Sequence, residues 1–232
     1  MIKKKKILAI IPARGGSKGI KLKNLRKING KSLIKITAKI ISKIKFIDRA
    51  VISTDNKKIA IEAIKNNLTF YKYRPKNLSG DKISDIKVIK FTLNEVEKIE
   101  KTNYDIVVML HPTSPLRNKS DVEESIKLLV KKNYDSVWTV SKTDSKFHPD
   151  KQLLISKDKL KYFSKKGPKI LYRQQLNQVY HRNSVAYVIQ SKLLKKSNSI
   201  ITNKTGAYLV KDKQISIDTK SDLSYANKLL KR

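Results

Sequence analysis

Short apolar runs alternating with helix-periodic stretches constrain this chain more than any other feature of its sequence. The first run, Ile7-Leu8-Ala9-Ile10-Ile11, stops at Pro12, and a strand-length run bounded by Pro and Gly reads as a buried strand. Over 33–44, Leu33, Ile34, Ile36, Ile40, Ile41 and Ile44 crowd one side of a helix. A strand at 50–53, a helix at 59–64, a short strand at 69–73, a helix at 84–100 and a strand at 105–110 follow. Ser120-x-x-Glu123 reads as the capping box of the next helix, and residues 136–140 and 184–189 as further strands. Thr219 with Asp222 resembles the cap of a closing helix. This alternation predicts an α/β fold with a doubly wound, mostly parallel sheet, ligands binding beyond the carboxyl ends of its strands. The 232 residues suit one domain, 1–232. Within it the alternation breaks down over 143–180, where Lys, Asp, Gln and Tyr predominate, and a small β-rich inserted arm is expected.

The same rule gathers several polar turns onto one edge. After the first strand comes Ala13-Arg14-Gly15-Gly16-Ser17-Lys18-Gly19. Gly15 and Gly16 let backbone amides approach a ligand, Arg14 and Lys18 add fixed positive charge, and Ser17 a hydroxyl, so the loop suits an anion. Its spacing is neither G-x-x-x-x-G-K-[ST] nor G-x-G-x-x-G, so neither a P-loop NTPase nor a dinucleotide-binding turn is indicated. Asp55, at the end of the second strand, has two readings: N-cap of the next helix, or a carboxylate facing the cleft. His111 either packs behind the Pro112 turn or serves the site, and Asp218, after Ile215-Ser216-Ile217, is placed to face the same cleft. Arg117 and Arg182 read as surface ion pairs, and His148 and His181 as loop residues, since no second His or Cys stands at metal-ligand spacing.

Composition bears on partners. A formal charge of +34 points first to nucleic acid. Of the 53 basic residues, however, only Arg14, Arg26, Arg49, Arg74, Arg117, Arg173, Arg182 and Arg232 are arginines, and the lysines are scattered through every predicted element. Nucleic-acid readers concentrate arginine forks and aromatic platforms on one face. A lysine-biased solvated surface, with no nucleic-acid partner, fits better. Cysteine is absent, which removes disulfides, thiolate metal sites and cysteine nucleophiles. The first apolar run is too short for a signal peptide and no run approaches membrane-spanning length, so a cytoplasmic protein without a membrane partner is expected.

The run Ala13-Arg14-Gly15-Gly16-Ser17-Lys18-Gly19-Ile20, continued by Leu22-Lys23-Asn24-Leu25 and then Gly30-Lys31-Ser32-Leu33-Ile34, resembles the opening of the acylneuraminate cytidylyltransferases, which make CMP-sialic acids. Arg74-Pro75-Lys76-Asn77-Leu78 is similar to that family's R-P-x-x-L turn, and Pro112-Thr113-Ser114-Pro115-Leu116-Arg117 to its P-T-S-P-L-R. The resemblance implies a Rossmann-like nucleotidyltransferase that joins CTP to the anomeric hydroxyl of a 2-keto sugar acid, a nonulosonic acid, releasing pyrophosphate for surface glycan synthesis. It implies a Mg²⁺-dependent homodimer whose inserted arm reaches into the partner's site. By the same resemblance Arg14, Asn24 and Arg74 contact the nucleotide or its phosphates, Lys23 a phosphate, and Arg173 has a catalytic or sugar-carboxylate role. Asp218 is the expected metal ligand, and Lys18 joins Arg14 in holding the triphosphate. Three positions depart from the pattern. His111 stands where the family has Gln. Ser216 replaces the first Asp of S-I-D-I-D-T, leaving one metal carboxylate. In Ile83-Ser84-Asp85, Asp85 takes the place of a nucleotide-contacting Ser and leaves Ser84 as the nucleotide-binding candidate. Acceptors such as 3-deoxy-octulosonate, legionaminic or pseudaminic acid stand as alternatives, with nucleic-acid binding a third reading motivated by the charge.

Overall fold

In the computed structural model, residues 2–230 are described; Met1, Lys231 and Arg232, which the expected span 1–232 includes, lie outside the described residues. In chain order the first elements are β1 (Ile7–Pro12), β2 (Lys27–Ile28), β3 (Lys31–Ser32), α1 (Leu33–Ile41), β4 (Arg49–Ser53) and α2 (Lys57–Ile64). Next come α3 (Asp85–Glu100), β5 (Ile106–Met109), α4 (Lys119–Lys132), β6 (Ser136–Lys142), β7 (Leu153–Ser156) and β8 (Lys159–Tyr162). The chain closes with β9 (Tyr180–Gln190), α5 (Ser191–Lys196), β10 (Thr205–Leu209) and α6 (Lys220–Leu229).

Every residue of the first apolar run is buried because both faces of its strand are covered. Ile7, Ala9 and Ile11 pack with Ile34 and Ala38 of α1, Ala63 of α2 and Ile126 of α4. Leu8 and Ile10 turn the other way, onto Ile89 and Leu93 of α3 and Leu194 of α5. The resulting 6-stranded sheet runs β10-β6-β9-β5-β1-β4. β1 is parallel to β4 and β5, and β10 is parallel to β6. The expected doubly wound, mostly parallel sheet is therefore present, with one strand reversed: β9 runs antiparallel to both β5 and β6. Its apolar run is like the others, and only the long excursion before it brings the chain back from the far end.

Local chemistry sets the element ends. Ser32 caps α1 by accepting from the Lys35 N–H, and Thr219 and Asp222 cap α6 reciprocally, as their spacing predicts. The start of α4 differs from the expected Ser120 box: Asn118 holds the extended N-cap conformation and accepts from the Asp121 N–H at 2.8 Å, leaving Ser120 inside the first turn. The expected strand at 69–73 shrinks to a single bridge between Thr69 and Val51. Past the end of β4 the Arg74 N–H bonds the Thr54 carbonyl.

A third, smaller core joins Ile20 and Ile28 to Leu33, Ile217 and Ala226. It ties the glycine loop to the segment carrying Asp218, at the carboxyl end of the sheet. Between β6 and β9 the chain leaves the sheet as the antiparallel hairpin β7–β8, all of whose residues are exposed.

Candidate functional site

The glycine loop is anchored from three sides. From the end of β4, Asp55 accepts the Gly15 N–H at 2.7 Å, while its neighbour Asn56 caps α2. Asp55 therefore serves the cleft edge and not the helix. Asn24, buried, donates to the Arg14 carbonyl at 3.3 Å. Gly19 packs so closely on the backbone of Asp218 that a β-carbon there would collide with the Asp218 carbonyl oxygen. That approach is open only to glycine.

These anchors set Arg14, Ser17, Lys18, Lys23 and Asn24 around a cleft of about 630 Å³. Arg74, His111 and Asp218 line it from the other segments. Gly15 and Gly16 form the loop behind, and Ser84 occupies the N-cap of α3 without a side-chain cap bond, beside Asp85, which does line the cleft. Arg173 is not brought to this cleft. It borders a separate groove of about 320 Å³ at the base of the arm, with Asp144 and His148. His148 is buried there, its Nε2 3.0 Å from the Asn177 carbonyl oxygen and its Nδ1 accepting the Asp150 N–H at 3.1 Å, in keeping with a structural loop residue.

Carboxylates of the chain occupy most of the cleft's cations. Asp81, assigned no role from the sequence, bridges Arg14 and Lys18, the latter at 2.7 Å. Hydrogen bonds from Lys18 and then Arg14 hold its carboxyl below the ordinary value. Lys23 Nζ lies 2.7 Å from Asp218 Oδ1, and Ser216 Oγ donates to Oδ2 at 3.0 Å. The Lys23 hydrogen bond is the main reason the Asp218 carboxyl is also held below its ordinary value. Arg74 is different. It is only 6% exposed, and its Nε has no hydrogen-bond partner. Burial depresses its pKa against the pull of the Asp55 charge. A buried donor left unpaired is costly.

Deeper in, His111 Nε2 lies 3.4 Å from Asp85 Oδ2, with the Tyr187 ring edge-on to the imidazole at 6.0 Å. Burial would raise the Asp85 carboxyl, but the His111 hydrogen bond and the charges of His111, Arg182 and Arg74 outweigh it and hold it low. His111 is thus part of the cleft, beyond any packing behind Pro112. Arg117 overturns the surface ion-pair expectation: it is buried, and its guanidinium donates to the carbonyls of Val185, His111 and Ser184, the last two at 2.6 and 3.2 Å. Burial pushes its pKa down to about 9. It clamps the cleft ends of β5 and β9 together, including Ser184, which sits at φ +58°. Arg182 lies over the Trp138 ring at 5.8 Å. The only sequence signal for Arg117 was its place in the proline-rich turn.

Among the described residues no cluster of three or more His, Cys, Asp or Glu could hold a metal. Asp218 offers one ionised carboxylate on the cleft wall. That donor set fits Mg²⁺ in the form that keeps water and substrate phosphates as its other ligands, once Lys23 releases Oδ1.

Residues 8–232 match the family model described as cytidylyltransferase. The chain is 29% identical to post-translational flagellin modification protein B of Campylobacter coli, over 94% of this chain and 92% of that one. It is 28% identical to the pseudaminic acid cytidylyltransferase of Campylobacter jejuni, over 97% of each. The solved structure of CMP:2-keto-3-deoxy-manno-octonic acid synthetase complexed with CTP shares the fold, with a TM-score of 0.73 and 16% identity over 97% of this chain and 98% of that one.

Proposed function

This chain belongs to the cytidylyltransferase family, and we propose that its cleft joins CTP to the anomeric hydroxyl of a nonulosonic acid, giving a CMP-sugar and pyrophosphate. The observation that carries this reading is the convergence of Arg14, Lys18, Lys23 and Arg74 with Asp218 on one cleft at the carboxyl end of the sheet. Nucleotidyl transfer asks a protein mainly for positioning and for charge around the phosphates. In this reading the triphosphate takes the place of the Asp81 carboxylate between Arg14 and Lys18, so the cations exchange one anion for another and are never left bare. Ser17 lines its path with Gly15 and Gly16 in the loop behind, and Lys23 turns from Asp218 to a phosphate. Asp218 would hold Mg²⁺ with the substrate's own oxygens and water. Bound there, the ion would supply charge stabilisation to the phosphates.

The acceptor class follows from the named activity of the Campylobacter jejuni relative. Sialic, legionaminic and 3-deoxy-octulosonic acids stand beside pseudaminic acid. The working unit in this reading is a homodimer. Arg173 lies outside its own chain's cleft, and the arm exposes Leu153, Ile155, Leu160 and Phe163, which suits an arm that delivers Arg173 to a second copy. The enzyme is read as cytoplasmic, and no helix of the described residues is long and apolar enough to cross a membrane.

The test is pyrophosphate release with CTP and Mg²⁺ across a panel of these acids, beside Asp218→Asn. We expect turnover with one nonulosonic acid and a fall on the order of 10²–10³-fold in the variant. Silence with every acid would overturn the reading.

A further inference from the structure

Two of the three departures from the family pattern meet in space. His111, where the family resemblance has Gln, lies two residues past β5, and Asp85, where it has Ser, opens α3, yet Nε2 and Oδ2 are 3.4 Å apart on the wall of the cleft. The fold thus sets an imidazole beside a carboxylate at these two positions. An ionised carboxylate accepts hydrogen bonds and cannot donate them, so a neutral imidazole facing Asp85 carries its proton on Nε2 and keeps the lone pair on Nδ1. The backbone supports the arrangement, since Arg117 holds the His111 carbonyl at 2.6 Å and Tyr187 meets the ring edge-on.

We propose that His111 is a catalytic base for the acceptor hydroxyl and that Asp85 is its positioning residue, an inference that rests on the nucleotidyl-transfer reading of this cleft. As the acceptor oxygen forms its bond to the α-phosphorus, the O–H bond breaks and its proton passes to Nδ1. The α-phosphorus–oxygen bond to the β-phosphate breaks in the same displacement, and pyrophosphate leaves with that electron pair. The imidazolium so formed faces the Asp85 carboxylate. The other charged or titratable groups around the pair are Arg74 from the turn after β4, Arg182 and Tyr187 from β9, and Arg117 behind the main chain. A Gln at position 111 offers no basic nitrogen, so this chain carries a proton acceptor that the family pattern lacks.

The experiment is the pH profile of kcat for the full chain with CTP, Mg²⁺ and the acid it uses, for wild type, His111→Gln, Asp85→Asn and the double variant. The base must be neutral to act, so wild-type kcat should show an acid limb. His111→Gln should lower kcat about 10²-fold, leave KM for CTP unchanged and remove that acid limb. Asp85→Asn should lower kcat as well, and the double variant should be no slower than His111→Gln alone. A His111→Gln enzyme that keeps the wild-type rate and acid limb, or losses that multiply in the double variant, would overturn the inference while CMP-sugar formation itself stands. A wild-type chain silent with every acid would overturn both. Independently of how the variants fold, ¹⁵N shifts of wild-type His111 should place the neutral proton on Nε2; a proton on Nδ1 would refute the arrangement.

Discussion

The β4–β1–β5 region and the arm between β6 and β9 solve the burial problem in opposite ways. In the sheet, Ile10 is wholly enclosed by α3 and its neighbours, and each polar turn at the carboxyl end is held by a partner from another segment, as Gly15 is by Asp55. In the arm, Ile155 is 76% exposed and Leu171 75%, although these side chains are as apolar as those of the core. Burying apolar surface is the main favourable term in folding, so the sheet is stable through its own contacts, whereas the arm holds apolar surface in reserve. The difference teaches where a second copy would matter: not at the glycine loop, whose anchors Asp55, Asn24 and Asp218 belong to the same chain, but at the arm, which carries Arg173 away from its own cleft.

Substitutions can break this contrast or sharpen it. The largest effect is expected from Ile10→Ala, which leaves a cavity between β1 and α3 and should cost about 2–5 kcal/mol in urea unfolding. A loss below ~1 kcal/mol would mean that the sheet collapses around the gap as freely as a loop. Gly19→Ala comes next. Its β-carbon meets the Asp218 carbonyl oxygen, so the loop and the carboxylate must move apart. Catalytic turnover should drop on the order of 10²-fold with little change in melting temperature. Unaltered turnover would show that the loop has slack. The smallest effect on stability is expected in the arm: Ile155→Ser should change unfolding free energy by less than about 0.5 kcal/mol while shifting sedimentation toward the monomer. A clear loss of stability in a monomeric sample would place Ile155 in the chain's own core.

Much of this was legible because it depends on neighbours within a few residues. The buried run at 7–11, the amphipathic faces of α1 and α3, the Thr219–Asp222 cap and the glycine loop can each be read from local spacing. Where local signals compete, reading them fails. Asn118 and Ser120 are both good caps, and the backbone extends at Asn118; Asp55 and Asn56 both suit a helix start, and Asn56 takes it, freeing Asp55 for Gly15. The arginine in Pro-Thr-Ser-Pro-Leu-Arg looked like a surface charge because nothing near it in sequence tells that the carbonyls of His111, Ser184 and Val185 converge on it.

By itself, then, the sequence determined the alternation of strands and helices, the glycine-rich cationic make-up of the loop at Arg14 and the family pattern that runs from Ala13 to Asp222. These rest on periodicity, glycine placement and side-chain chemistry, which a chain carries whatever its path. Only the tertiary structure decided that β9 runs against its neighbours, that Asp81 bridges Arg14 and Lys18, that Lys23 pairs with Asp218, and that His111 meets Asp85. Each of these joins segments far apart in the chain, and their distance is set by how the crossovers pack against the two faces of the sheet, which no local pattern encodes.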